Sequence, residues 1–178
     1  DADTTWDALV AGVSGVRPFD RFPAGAARPA NAAFVDGLDS GREETLVMQM
    51  LRPVVARHRH AIPRDAQLLL ATTNGEIEHL ERAVAGHAAA AEDSVPTVLA
   101  AKVQALAGLD RPAVVVSAAC ASSTVAIAEG AAMIRAGEQD CVLVVACDFV
   151  SEFVAAGFRS LGALAPDRAR PFDRGRRG

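Results

Sequence analysis

The 178-residue chain has no tyrosine, only 4% aromatic residues and a single lysine, Lys102. Hydrophobic residues nevertheless make up 51%, and much of that share is alanine, which packs helices closely but buries little area per residue. The interior is therefore expected to be helix-rich and tight. No apolar run reaches the length of a membrane-spanning helix, so no membrane partner is expected. A net charge of −4 and a pI near 5.5 give no reason to expect nucleic acid or an anionic surface as partner. Lys102 follows no glycine-rich phosphate loop, and neither GxGxxG nor GxSxG occurs, so nucleotide binding and a serine-hydrolase elbow are without support. Cysteine is scarce too: Cys120, Cys141 and Cys147 show no CxxC spacing, which argues against a disulfide framework and against zinc. The close pair His58 and His60, in RHRH, reads as a solvated basic helix end. No cofactor and no metal are expected, and an acidic chain with reduced thiols suits the cytoplasm. The opening DADTTWDALVAG has neither an initiator Met nor a charged start before an apolar block, so it shows no secretory signal and fits a start inside a longer protein.

What is present alternates helix and strand. TTWDALVAGVSGV places Trp6, Leu9, Val10 and Val13 at helical spacing and is followed by a long loop through FPAGAARPANAAF. Residues 42–59 repeat the helical pattern, with Pro53 as a kink or early boundary. QLLLATT, 67–73, reads as a strand. GEIEHLERAVAG then reads as a helix stopped by Gly86, and SVPTVLAAKVQALAG as one with Pro96 in its first turn and Gly108 as its stop. PAVVVSA, 112–118, is apolar on both faces, as a strand in a covered sheet should be. Residues 121–136 form a helix closed by Gly137, DCVLVVACD is a third apolar strand, and the C-terminal stretch is a loop with room for an edge strand. Apolar strands alternating with helices specify an α/β fold with a mostly parallel sheet. The helix after Cys120 carries only Glu129 and Arg135 as charges and is small or apolar all round, so a second layer, from another chain or another part of the protein, is expected to cover its far side.

The chemistry-bearing candidates are few. Asp140, Asp148, Asp167 and Asp173 are scattered over strand ends and loops and read as solvated acids, and the five arginines between Arg168 and Gly178 as a solvated terminal loop. Cys141 and Cys147 lie six apart in the strand that holds VLVVA and so point to one face, where buried and inert cysteines belong. Cys120 differs: it stands at a strand-to-helix junction, where unpaired backbone N–H groups and the helix dipole favour a thiolate. Position alone leaves a reactive thiol and a packed core junction equally open.

SAACASS, a small-residue helix ending IRAGEQD, a VLVVA strand and GFRSLGALAPDRARPFD, in that order and spacing, resemble the β-ketoacyl-acyl carrier protein synthases, the condensing enzymes of fatty acid and polyketide synthesis. WDALVAGVSG, Trp6 to Gly15, resembles that family's first helix and turn, with a looser likeness between Arg17 and Leu109. The resemblance implies a thiolase-like fold, in which residues 1–178 form the N-terminal half of a ketosynthase without its opening strand, and 121–136 match that half's central helix. It implies that Cys120 takes an acyl group from a carrier-protein thioester for decarboxylative Claisen condensation with a malonyl thioester. The small neighbours Ala118, Ala119, Ala121 and Ser122 would leave room for the acyl chain and pantetheine.

Further consequences are implied in the same way. The partner is acyl carrier protein bearing phosphopantetheine-bound acyl and malonyl groups, and the assembly is a homodimer or a ketosynthase heterodimer through residues 112–118. None of His58, His60, His79 or His87 matches a family motif, and the family's two catalytic histidines would lie beyond Gly178. The family usually has acidic residues where Gly175 and Arg177 stand, and commonly glycine at the position of Cys147. Two other readings remain: a non-catalytic partner like the chain-length factors, which have lost the cysteine, and a plain α/β domain with three buried thiols.

Overall fold

The computed structural model describes residues 2–19, 21–22, 31–87 and 90–177. Two compact units divide the chain, one formed by Gly37–Phe149 and the other by Asp1–Asp36 with Val150–Gly178. The α/β fold with a parallel sheet expected from the sequence is found in the first of them.

In that unit, helix α2 (Leu46–His58) starts at Thr45, whose extended backbone and hydroxyl, accepting from the Met48 N–H at 3.4 Å, make the N-cap. Its apolar residues Val47, Met48, Leu51 and Val55 recur at helical spacing and are buried, and Pro53 is accommodated inside the helix. Helix α3 (Glu78–Val84) follows strand β3 (Gln67–Ala71), and helix α4 (Pro96–Ala107) precedes strand β4 (Val114–Val116). Helix α5 (Ser122–Arg135) and strand β5 (Val142–Ala146) complete the unit. The three strands are parallel in the order β4-β3-β5, with Leu69 opposite both Val114 and Val144.

All five residues of β3 are buried, which is why its sequence shows no polar alternation. Leu68 and Leu70 point into a core with Val47, Leu51 and Val55 of α2 and Leu99 and Val103 of α4. Leu69 and Ala71 point the other way, toward Ala126 of α5. Gly130 lets α5 lie close on that face: a Cβ there would come within 3.0 Å of Val142 Cγ1. On its far side α5 leaves Ile127 and Ile134 61% and 48% exposed. The described residues therefore do not supply the cover expected for that side.

Two buried carboxylates tie α2 to α3. Glu76 accepts from the Thr45 hydroxyl and, at 2.6 Å, from Lys102 Nζ. Glu78 accepts from the Leu46 N–H at 2.7 Å and from Arg82. A hollow of about 830 Å³ beside them is bordered by Arg42, Arg52, His79 and Lys102. Arg42, Arg52 and Lys102 already have carboxylate partners, Asp39, Glu44 and Glu76.

The other unit holds helix α1 (Ala2–Val10), the short antiparallel strands β1 (Val16–Pro18) and β2 (Asn31–Ala33), and helix α6 (Glu152–Ser160). Its small core packs Phe19 against Phe22 and Phe34, at ring-centroid distances of 4.9 and 5.5 Å, with Ala155 of α6 buried alongside. Arg17 lies over the Phe34 ring at 4.0 Å and pairs with Asp36 at 2.6 Å.

This unit departs from the sequence reading in three places. Residues 22 and 31–34 of the loop read through FPAGAARPANAAF are structured, Asn31–Ala33 as β2, while 23–30 lie outside the described residues. Strands of three residues are too short to leave a period-2 pattern. Helix α6 was not anticipated, although Ser151 caps it by accepting from the Val154 N–H at 3.1 Å. The room left for a C-terminal edge strand is not used: no strand follows Ser160 among the described residues.

Candidate active site

Strand β4 ends at Val116, and the chain reverses into α5 within a few residues. Cys120 sits in that reversal, exposed, two residues before the helix. Ala119 before it has φ +50°, a left-handed conformation that costs an alanine about 1–2 kcal/mol and so needs holding. The Ala119 carbonyl accepts from the Ser122 hydroxyl at 2.7 Å, from the Ser122 N–H at 3.2 Å and from the Thr73 hydroxyl at 3.2 Å. Ser122 Oγ also accepts from the Ala118 N–H at 2.9 Å, so this buried serine braces both sides of the bend. Ala118, Ala119 and Ala121 are exposed around the cysteine, and no large side chain stands next to it in sequence.

Thr73 belongs to the turn after β3, and that turn is organised by Asp148. One Asp148 oxygen accepts from the Thr72 hydroxyl at 2.9 Å and from the Asn74 N–H at 3.3 Å, and the other from the Thr73 N–H at 3.2 Å. Asp148 follows β5, so its carboxylate joins the C-terminal ends of β5 and β3, and Thr73 extends the link to the bend after β4. Asp148 is exposed, as the sequence reading of a solvated acid expects, and with three backbone and hydroxyl donors it also organises this turn. Its only sequence signal is its place as the last residue of an expected apolar parallel strand, an end where functional groups of α/β proteins gather.

Cys141 and Cys147 flank β5 rather than lying within it, and both pack against the core formed with α2 and α4. Burial, with the neighbouring Asp148 charge adding to it, pushes the Cys147 thiol up to about 11. Among the described residues no hydrogen bond or ion pair joins a histidine to the bend that carries Cys120. His58 and His60 close α2 beside Arg59, which donates to the Gly108 carbonyl at 3.2 Å, at the end of the sheet where β4 begins. His79 lies 3.9 Å from Glu76. Residues 170–173, RPFD, lie in the exposed stretch after α6, where Arg170 pairs with Asp167 at 2.7 Å. Among the described residues no group of three or more His, Cys, Asp or Glu side chains is arranged to hold a metal, and no helix is long and apolar enough to cross a membrane.

Known proteins resemble this chain. Nodulation protein E of Rhizobium sp. (strain N33) is 36% identical over 86 residues, covering 48% of this chain and 21% of the relative. Nodulation protein E of Rhizobium meliloti is 35% identical over the same length, with the same shares. The chain thus spans about a fifth of the curated relatives it matches. The crystal structure of a β-ketoacyl synthase from Burkholderia phymatum STM815 superposes with a TM-score of 0.73 at 21% identity, over 100% of this chain and 52% of that one. A ketosynthase from Xenorhabdus doucetiae, solved in complex with its chain length factor, gives a TM-score of 0.59 at 24% identity, over 75% of this chain and 36% of that one. The fold is thiolase-like, as these neighbours are. Residues 58–178 match the family described as Beta-ketoacyl synthase, N-terminal domain, and they contain β3, β4, Cys120, α5, β5 and RPFD; the chain belongs to the β-ketoacyl synthase family.

Proposed function

We propose that Cys120 is the acyl-accepting nucleophile of a β-ketoacyl-acyl carrier protein synthase. In the first step the Cys120 thiolate attacks the carbonyl of a carrier-protein thioester, and the tetrahedral oxyanion collapses with loss of the carrier thiolate, leaving the acyl group on sulfur. In the second, a malonyl thioester loses carbon dioxide, and the carbon nucleophile so formed attacks the acyl-enzyme and releases the Cys120 thiolate. The Cys120 N–H serves as one donor to the oxyanion of the first step. What supports this reading is one observation: an exposed thiol on a hydrogen-bonded bend between a parallel strand and a 14-residue helix, inside the stretch that matches the family.

Selective labelling tests it. In the intact folded protein, brief iodoacetamide treatment at pH 8 followed by peptide mass mapping should modify Cys120 well before Cys141 or Cys147. A thiol pushed up to about 11 is only about one part in a thousand thiolate at that pH, and labelling of Cys147 should climb only as the pH approaches 11. Equal modification of all three cysteines at pH 8 would overturn the assignment.

The alternative, a non-catalytic partner like a chain-length factor, is supported by the chain length factor found with the Xenorhabdus doucetiae ketosynthase, but retention of Cys120 weighs against it. Either reading places a second subunit along β4, a sheet-edge strand of three valines without a charge to discourage pairing. The intact protein is expected to run as a homodimer or a ketosynthase heterodimer by native mass spectrometry, and a monodisperse monomer at micromolar concentration would count against it.

A further inference from the structure

The peptide that joins Ala119 to Cys120 carries two groups at once, the Ala119 carbonyl and the Cys120 N–H. Because a peptide is planar and trans, the oxygen and the N–H point in opposite directions across it. Whatever fixes the carbonyl therefore aims the N–H. Of the donors to this carbonyl, the Ser122 hydroxyl and N–H belong to the bend and α5 themselves and move with them. The Thr73 hydroxyl, at 3.2 Å, comes from the turn after the central strand and so refers the peptide to the sheet. Thr73 is in turn held through its N–H by Asp148, which also takes the Thr72 hydroxyl and the Asn74 N–H.

We infer that Thr73 is a positioning residue that orients the Cys120 N–H toward the oxyanion of the acyl-transfer step, and that Asp148 anchors it. The inference rests on the reading of Cys120 as the acyl acceptor. Thr73 touches neither substrate nor sulfur in this role; it acts through the 119–120 peptide. The competing account is that Thr73 and Asp148 only stabilise the turn after β3.

Two reactions of the same sulfur separate the accounts. Acyl transfer develops negative charge on a carbonyl oxygen and needs the donor aimed, whereas alkylation by iodoacetamide displaces iodide at a saturated carbon and develops no oxyanion. In the intact protein, Thr73→Val should slow loading of Cys120 from an acyl N-acetylcysteamine thioester by about tenfold at saturating thioester, a part of the 10²–10³ lost when a whole oxyanion donor is removed. KM and the iodoacetamide rate at Cys120 should change by less than about twofold. Thr73→Ser, which keeps the hydroxyl, should restore loading, and Asp148→Asn, which weakens the anchor, should fall between. If Thr73→Val does not fold, Thr73→Ala serves in its place.

Unchanged loading in Thr73→Val, an equal fall in both reactions, or failure of Thr73→Ser to restore loading would each overturn the inference. Cys120→Ala tells the two levels apart. If that variant still loads, the reading of Cys120 itself has failed. If it does not load while Thr73→Val loads at the full rate, only the role of Thr73 has failed.

Discussion

Cys120→Ala in the intact protein should bring acyl loading down to background, a fall on the order of 10⁴-fold or more if the nucleophile behaves as in other covalent enzymes. No other thiol is placed to take over. Cys147 is partly buried, and its thiol is pushed up by burial and by Asp148, while Cys141 packs against the same core. Cys120→Ser is expected to be nearly as severe, because a hydroxyl is a far weaker nucleophile than a thiolate. Radiolabel transfer from an acyl thioester, read after gel filtration, checks both variants. Loading that survives Cys120→Ala would remove Cys120 from the mechanism.

Gly75→Ala should cost the fold more than any other single-methyl change in the described residues near the site. Gly75 has φ +57°, and a Cβ there would overlap the Ser94 carbonyl oxygen and lie 2.9 Å from Pro96 N, both backbone atoms that cannot swing aside. The left-handed backbone costs a non-glycine residue about 1–2 kcal/mol and overpacking about 1–3 kcal/mol more, so a loss of about 2–5 kcal/mol is expected. At about 2–4 °C per kcal/mol for a chain of this size, the melting temperature followed by circular dichroism should fall by roughly 4–20 °C. A fall of less than about 3 °C would mean that the turn is free to open away from Pro96. The same substitution should also slow acyl loading, because the Gly75 N–H donates to Thr72 Oγ1 at 3.0 Å in the turn that carries Thr73.

How much of this was readable in the sequence varies along the chain. The strands β3, β4 and β5 stood out because each is a short apolar run between breakers, and burial, complete in β3 and partial in β4 and β5, removes the need for polar alternation. Helices α2, α4 and α5 were readable from spacing and stops. The β1–β2 pair was not, since three residues leave no period, and α6 was passed over although Ser151 marks its start. At the site, Cys120 was visible as a residue at a strand-to-helix junction, but the chemistry proposed for it came from the family likeness rather than from position. Asp148 was invisible because its role depends on meeting Thr72, 76 positions away, at the ends of two strands whose neighbourhood only the sheet order reveals.

The order β4-β3-β5 also has a consequence for how the protein is made. The middle strand leaves the ribosome first, and its two neighbours arrive later on opposite edges. The 75 positions from Ala71 to Ala146 take about 4–15 s to synthesise at ordinary rates. For that interval QLLLA, the most thoroughly buried strand of the finished unit, has at least one hydrogen-bonding edge with no strand of its own chain to meet. The nascent chain is thus most exposed to wrong pairing before β5 is complete, and the codons between β3 and β5 set how long that exposure lasts.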